Sequence, residues 1–135
     1  MATQVLRAVK VGDEIPSVDH SVDPQNMKLM AALLRDPNPI HFDVESVKRL
    51  GLGDRVVAQG PMTLAFVSDM VTAWAGIESL RSLRVRMLAN VFGGETVTCT
   101  GRVAEVDEEQ GLVTLEVGAA VGDRAVVTGT AVVAR

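Results

Sequence analysis

A chain of 135 residues with 47% apolar side chains can bury one core, and its length suits a single domain over residues 1–135. The formal charge of −4, the pI near 5.1 and an aromatic content of 3% with no Tyr argue against a nucleic-acid surface and against an anionic-membrane surface. No apolar run reaches the length of a bilayer span, no signal-peptide core follows Met1, and a lone Cys99 excludes an internal disulfide, which together point to a reducing cytoplasm. His20 and His41 are the only histidines and no cysteine cluster joins them, so no metal site is expected.

Residues 5–15 read as a first strand that ends near Gly12-Asp13. Asp23 is a good N-cap, and Pro24 suits the first helical position, where its missing N–H would have no partner. Met27, Met30, Ala31 and Leu34 recur at helical spacing and predict one core-facing stripe. Pro37 and Pro39 stop that helix near Arg35, because each lacks a donor and pushes its predecessor out of the α region. The following PNPIHFD is expected to be irregular. Asp43 then caps a short helix over residues 45–50, and Gly51 to Gly53 end it.

Pro61, directly after Gly60, marks the start of a third helix. From 62 to 75 apolar side chains surround nearly the whole cylinder, broken only by Thr63, Ser68, Asp69 and Thr72. A helix apolar all round yet too short for a membrane is expected to be wrapped by its own protein. Gly76 is its expected C-cap.

Beyond it the period changes to two. Leu83, Val85 and Met87 alternate with Arg84 and Arg86; Val97, Cys99, Gly101 and Val103 alternate with Thr and Arg; Val113, Leu115 and Val117 follow; residues 125–133 are small and β-branched. Turn signals at 92–95, 107–111 and 122–123 separate these runs. The pattern predicts an antiparallel meander of five or six strands and an α+β domain whose sheet wraps the third helix.

The stretch RDPNPIHFD places Asp36, Asn38, Pro39, His41 and Asp43 within nine positions after the first helix. A structural turn and a catalytic loop both account for such a composition. The order of helix, D-x-N-P-x-H-x-D, VVAQGPM over 56–62 and then strands resembles the MaoC-like hot-dog hydratases. These are the (R)-specific enoyl-thioester hydratases and related 3-hydroxyacyl-thioester dehydratases. The resemblance covers nearly the whole chain. It implies a single α+β hot-dog fold, with an antiparallel sheet around a central buried helix.

It also implies a hydro-lyase acting on trans-2-enoyl thioesters or, in reverse, on (3R)-hydroxyacyl thioesters. No separate cofactor is implied, since CoA or carrier-protein phosphopantetheine comes as part of the substrate. The implied partner is a second hot-dog subunit, identical or paralogous. Asp36 and His41 would hold the reacting water; which is base and which acid stays open, because coupled groups share their titrations. The N–H of Gly60, at the start of the third helix, would face the thioester oxygen. Met62 is a second candidate donor, because Pro61 has no N–H. Many relatives carry His immediately before this glycine, where this chain has Gln59, a departure that bears on hydrogen bonding there and on substrate preference.

The remaining candidates have plainer readings. Asn38 and Pro39 brace the loop, and Asp43 caps a helix. Ser68 and Asp69 are satisfied core groups ahead of lining for an acyl tunnel. Arg84 and Arg86 are solvated, or bind phosphates of CoA or an acidic carrier protein. Cys99 is a small core hydrophobe, and His20 lies on the surface. The competing functions are a subunit of a hetero-oligomeric dehydratase, either an accessory one lacking catalysis or one that supplies the catalytic pair while a paralogue supplies the acyl pocket, and a hot-dog thioesterase.

Overall fold

The computed structural model describes Leu6 and residues 8–135 of the chain. The expected first strand lies partly outside the described residues. Within them, residues 8–13 form no strand, and the strand begins later, as β1, Glu14–Ser21. Two helices follow, α1 (Pro24–Leu34) and α2 (Val44–Arg49), then the long α3 (Gly60–Ala75). Four strands complete the chain: β2 (Leu80–Met87), β3 (Thr96–Asp107), β4 (Leu112–Val121) and β5 (Arg124–Ala134).

Local chemistry sets most helix ends. Asp23 accepts from the Gln25 N–H and Pro24 opens α1; Asp43 does the same for α2 through the Glu45 N–H. The Ser46 hydroxyl also bonds Asp43 and holds its carboxyl below the usual carboxylate range. Gly76, at φ 89°, closes α3 with its N–H on the Thr72 carbonyl.

All five strands pair antiparallel in the order β1-β3-β4-β5-β2. Only β3, β4 and β5 form a meander. The expectation that β2 would pair with its successor fails: β2 crosses to β5, with Leu83 opposite Ala131 and Val85 opposite Gly129. Pro16 and a register shift between Ile15 and Val18 lie on β1, as suits an edge strand that cannot donate along its whole length.

The inner face carries Val97, Cys99, Val103, Val113, Leu115, Val117, Ala131 and Val133, all buried. They pack in one core with Val67, Met70, Val71 and Ala75 of α3. Full burial of each Val, Leu or Met side chain among them stabilises the fold by roughly 1.5–3 kcal/mol. A Cβ at Gly101 would stand 2.8 Å from Ile15 Cδ1, so glycine there admits β1 onto the core. On the outer face the register aligns Glu14, Arg102, Glu116, Thr130 and Arg84 across all five strands, with opposite charges opposed.

Two core expectations need correction. Leu34 is 45% exposed, because the stripe that α1 buries is narrow and consists of Met27 and Ala31. Nor is α3 enclosed all round: Pro61, Ala65, Asp69 and Ala73, spaced four apart, form an exposed stripe. A curved sheet of five strands covers one side of a helix and leaves the far side open.

Glu95 ties two loop segments to the start of β5. Its carboxylate accepts from the Phe92 N–H at 2.9 Å, from Arg124 at 2.6 Å and from Arg55 at 3.3 Å, and both guanidinium groups lie over the Phe92 ring. Burial pushes this carboxyl upward, but the N–H and the two arginines outweigh it and leave it below its ordinary value of 4.5. The stability it contributes is therefore present above pH 4.5 and is lost as pH falls through the lower folded value. Glu95→Gln should lower stability at neutral pH and flatten the acid limb of a pH–denaturation profile; an unaltered limb would show that the ion pairs contribute nothing.

Candidate active site

Arg35 begins the site. It is the only non-glycine residue at positive φ among the described residues, at φ 51°, ψ 41°. An L-residue there costs roughly 1–2 kcal/mol. The turn lets the Asp36 N–H close on the Ala31 carbonyl at 2.9 Å and ends α1. The loop beyond it is not fully irregular: Pro39–His41 forms one 3-10 turn, capped by Asn38 Oδ1 on the Ile40 N–H. Asn38 thus braces the loop, and Pro39 supplies its first turn position.

This double turn brings the acid and the imidazole together. His41 Nε2 lies 3.3 Å from Asp36 Oδ2, and the other carboxylate oxygen accepts from the Asn38 N–H at 3.0 Å. His41 is buried, whereas the Asp36 side chain is 34% exposed. The second ring nitrogen, Nδ1, stands 2.6 Å from the Val57 carbonyl oxygen. A carbonyl can only accept, so Nδ1 carries a hydrogen and Nε2 is the nitrogen free to gain or lose one. A bare Nε2 lone pair against a carboxylate would repel. One water bonded to both groups from the open side of the pair satisfies them together.

Val57 also donates its N–H to the Ile40 carbonyl, so the loop is stitched from both sides to the segment that enters α3. Gly60 stands three residues on. The Met62 N–H already donates to the Gln59 carbonyl at 3.0 Å, which removes Met62 as a backbone donor, and its side chain is buried. The Gly60 N–H has no such partner among the described residues. Gln59 is 1% exposed, and its Nε2 donates to the Met27 carbonyl at 2.8 Å. It locks α1 to the start of α3, a task that a neutral histidine can also perform.

Two grooves flank the pair. One, of about 530 Å³, is lined by Lys28, Ala31, Arg35, Asp36 and Phe42; the other, of about 280 Å³, by His41, Phe42, Lys28, Asp54 and Arg55. Lys28 and Phe42 stand on the wall common to both.

The model of the MaoC-like domain matches residues 8–124, which include every one of these groups. The chain belongs to the MaoC-like dehydratase family. Among solved structures of the family's fold, a protein described as a MaoC-like dehydratase superposes with a TM-score of 0.90 at 27% identity, over 96% of this chain and 41% of that one. The (R)-hydratase from A. caviae involved in PHA biosynthesis is 25% identical, with a TM-score of 0.82 over 95% of this chain and 98% of that one. The ChsH1-ChsH2 complex from Mycobacterium tuberculosis gives 25% and 0.82 over 93% and 98%. No curated protein matches the chain in sequence. The family's hot-dog fold accounts for the strand order and the central helix.

Other expectations about this MaoC-like chain fare unevenly. Asp69 is exposed and is no core group, while Ser68 is half-buried. Arg84 and Arg86 are exposed on the outer face beside Glu116 and Thr128, in a depression that shares no residue with either groove. Cys99 is fully buried, and burial pushes its thiol up to about 11. His20 is half-buried rather than free on the surface: it stacks on Phe66 with ring centroids 4.3 Å apart, and its Nε2 is enclosed. No helix among the described residues is long and apolar enough to cross a membrane. The Val57 carbonyl carried no signal in the sequence, because a backbone acceptor is set by the fold. Arg35 did carry one: it sits where α1 must end and Asp36 must turn back.

Proposed function

We propose that this protein is a hydro-lyase that adds water across the double bond of trans-2-enoyl thioesters with (R) stereochemistry, or runs the reverse dehydration. The observation that carries this is the contact between Asp36 and a His41 whose tautomer is held by Val57. Water bonded to both members of the pair loses a proton to it as the oxygen bonds C3. The C2=C3 electrons move toward the thioester carbonyl, and the resulting enolate takes a proton back at C2. The Gly60 N–H, at the positive end of α3, is the donor available to the enolate oxygen. Asp36, His41 and Gly60 are thus the proposed catalytic and oxyanion residues. Purified protein given a short trans-2-enoyl-CoA should consume the enoyl absorbance and yield the (3R)-hydroxy product. Release of free thiol without hydration would favour a thioesterase instead.

A second reading concerns assembly. Among the described residues both edge strands, β1 and β2, have one unpaired side, and Met87 and Leu88 are exposed at the end of β2, with Met87 reaching Gly60. The likeness to a chain of a two-protein complex makes a paralogous partner a competitor to self-pairing. Sedimentation of the protein alone, with activity measured on the same fractions, separates the two: an active dimer supports self-pairing, and an inert monomer supports a partner.

A further inference from the structure

The groove that holds Asp36 has two cations that nothing in the fold uses. Lys28 and Arg35 both line it, both are exposed, and neither makes an ion pair among the described residues. Asp36, already engaged with His41, is the groove's one acid among its lining groups. Arg35 holds a left-handed backbone position at which glycine would be free of strain, so its side chain is kept against a local cost. Lys28 lies seven residues earlier on α1, about 10 Å along the helix axis, and borders the His41 groove as well.

We propose that Lys28 and Arg35 bind the phosphate end of a phosphopantetheine thioester, so that this groove takes the carrier arm while the acyl group lies at Asp36 and His41. The proposal rests on the hydratase reading. The arm of such a thioester is long and places its first phosphate well away from the reacting carbons, toward the Lys28 end. Arg35 lines the same groove, and its fork suits phosphate oxygens. The plainer role for Arg35, a cation at the C-terminus of a helix, gives no dependence on the phosphate of the substrate.

The test compares three substrates with the same trans-2-enoyl group, carried on CoA, on phosphopantetheine and on N-acetylcysteamine, which has no phosphate. In Lys28→Ala and Arg35→Gly, the ratio of kcat/KM on CoA to that on N-acetylcysteamine should fall about tenfold for each cation, mostly through KM. Arg35→Gly should melt at or above the wild-type temperature, which separates lost binding from lost folding. A parallel loss on phosphopantetheine assigns the cations to the proximal phosphate, as on a carrier protein. A loss confined to CoA assigns them to the nucleotide phosphates. An unmoved ratio in both variants overturns the proposal while leaving the hydratase reading intact. Wild type inert on all three substrates sinks that reading; calorimetric binding of free CoA, weakened about tenfold in Lys28→Ala or not, then decides the cation assignment by itself.

Discussion

Asp36→Asn should lower kcat/KM for hydration of a trans-2-enoyl thioester by about 10³-fold, within the range assigned to a positioned acid–base group. The substitution is nearly isosteric. Its amide oxygen can still accept from the Asn38 N–H, and a side chain one-third exposed leaves no cavity. The melting temperature should therefore stay close to wild type, and the loss should appear in kcat.

His41→Ala should lose a similar factor but also fold less stably, by about 1–3 kcal/mol, because it leaves the buried Val57 carbonyl without its donor. The double variant should be little worse than either single one, since the two groups act on one water. Continuous decay of the enoyl absorbance measures all three. Asp36→Asn retaining more than a tenth of wild-type kcat/KM would remove this carboxylate from the chemistry.

The largest structural effect is expected at Gly129. A Cβ added there would lie 2.1 Å from the Arg84 carbonyl oxygen and 2.9 Å from Val85 Cα, both backbone atoms that a rotamer change cannot clear. Gly129→Ala must push β2 away from β5 at the register pair Val85–Gly129. A loss of about 3 kcal/mol is expected, at the upper end for an overpacked site. Because β2 is an edge strand whose end reaches Gly60, activity per folded molecule should fall as well. Gly118→Ala is the internal comparison: its nearest backbone contact is 3.3 Å, which a small shift absorbs. Urea unfolding of both variants decides the matter, and equal midpoints would show that β2 yields without cost.

What could be read directly from the residues was whatever depends on near neighbours. Asp23, Pro24, Asp43 and Gly76 marked helix ends because caps and φ restrictions act within a few positions. The two-residue period assigned the inner face of β3 and β4 because the pleat alternates wherever the strand lies. The spacing from Asp36 to His41, with its two prolines, held the candidate pair at short range. Other features depended on groups distant along the chain. The pairing of β2 with β5 spans a crossover, and His20 found Phe66 on another element. The hydrogen on His41 Nδ1 follows from a carbonyl sixteen residues on. The sequence alone therefore determined the helix boundaries, the strand faces and the acid–imidazole spacing, since each acts over a few bonds. Tertiary structure decided the strand order and the tautomer, because those depend on atoms that meet only when segments distant along the chain pack together.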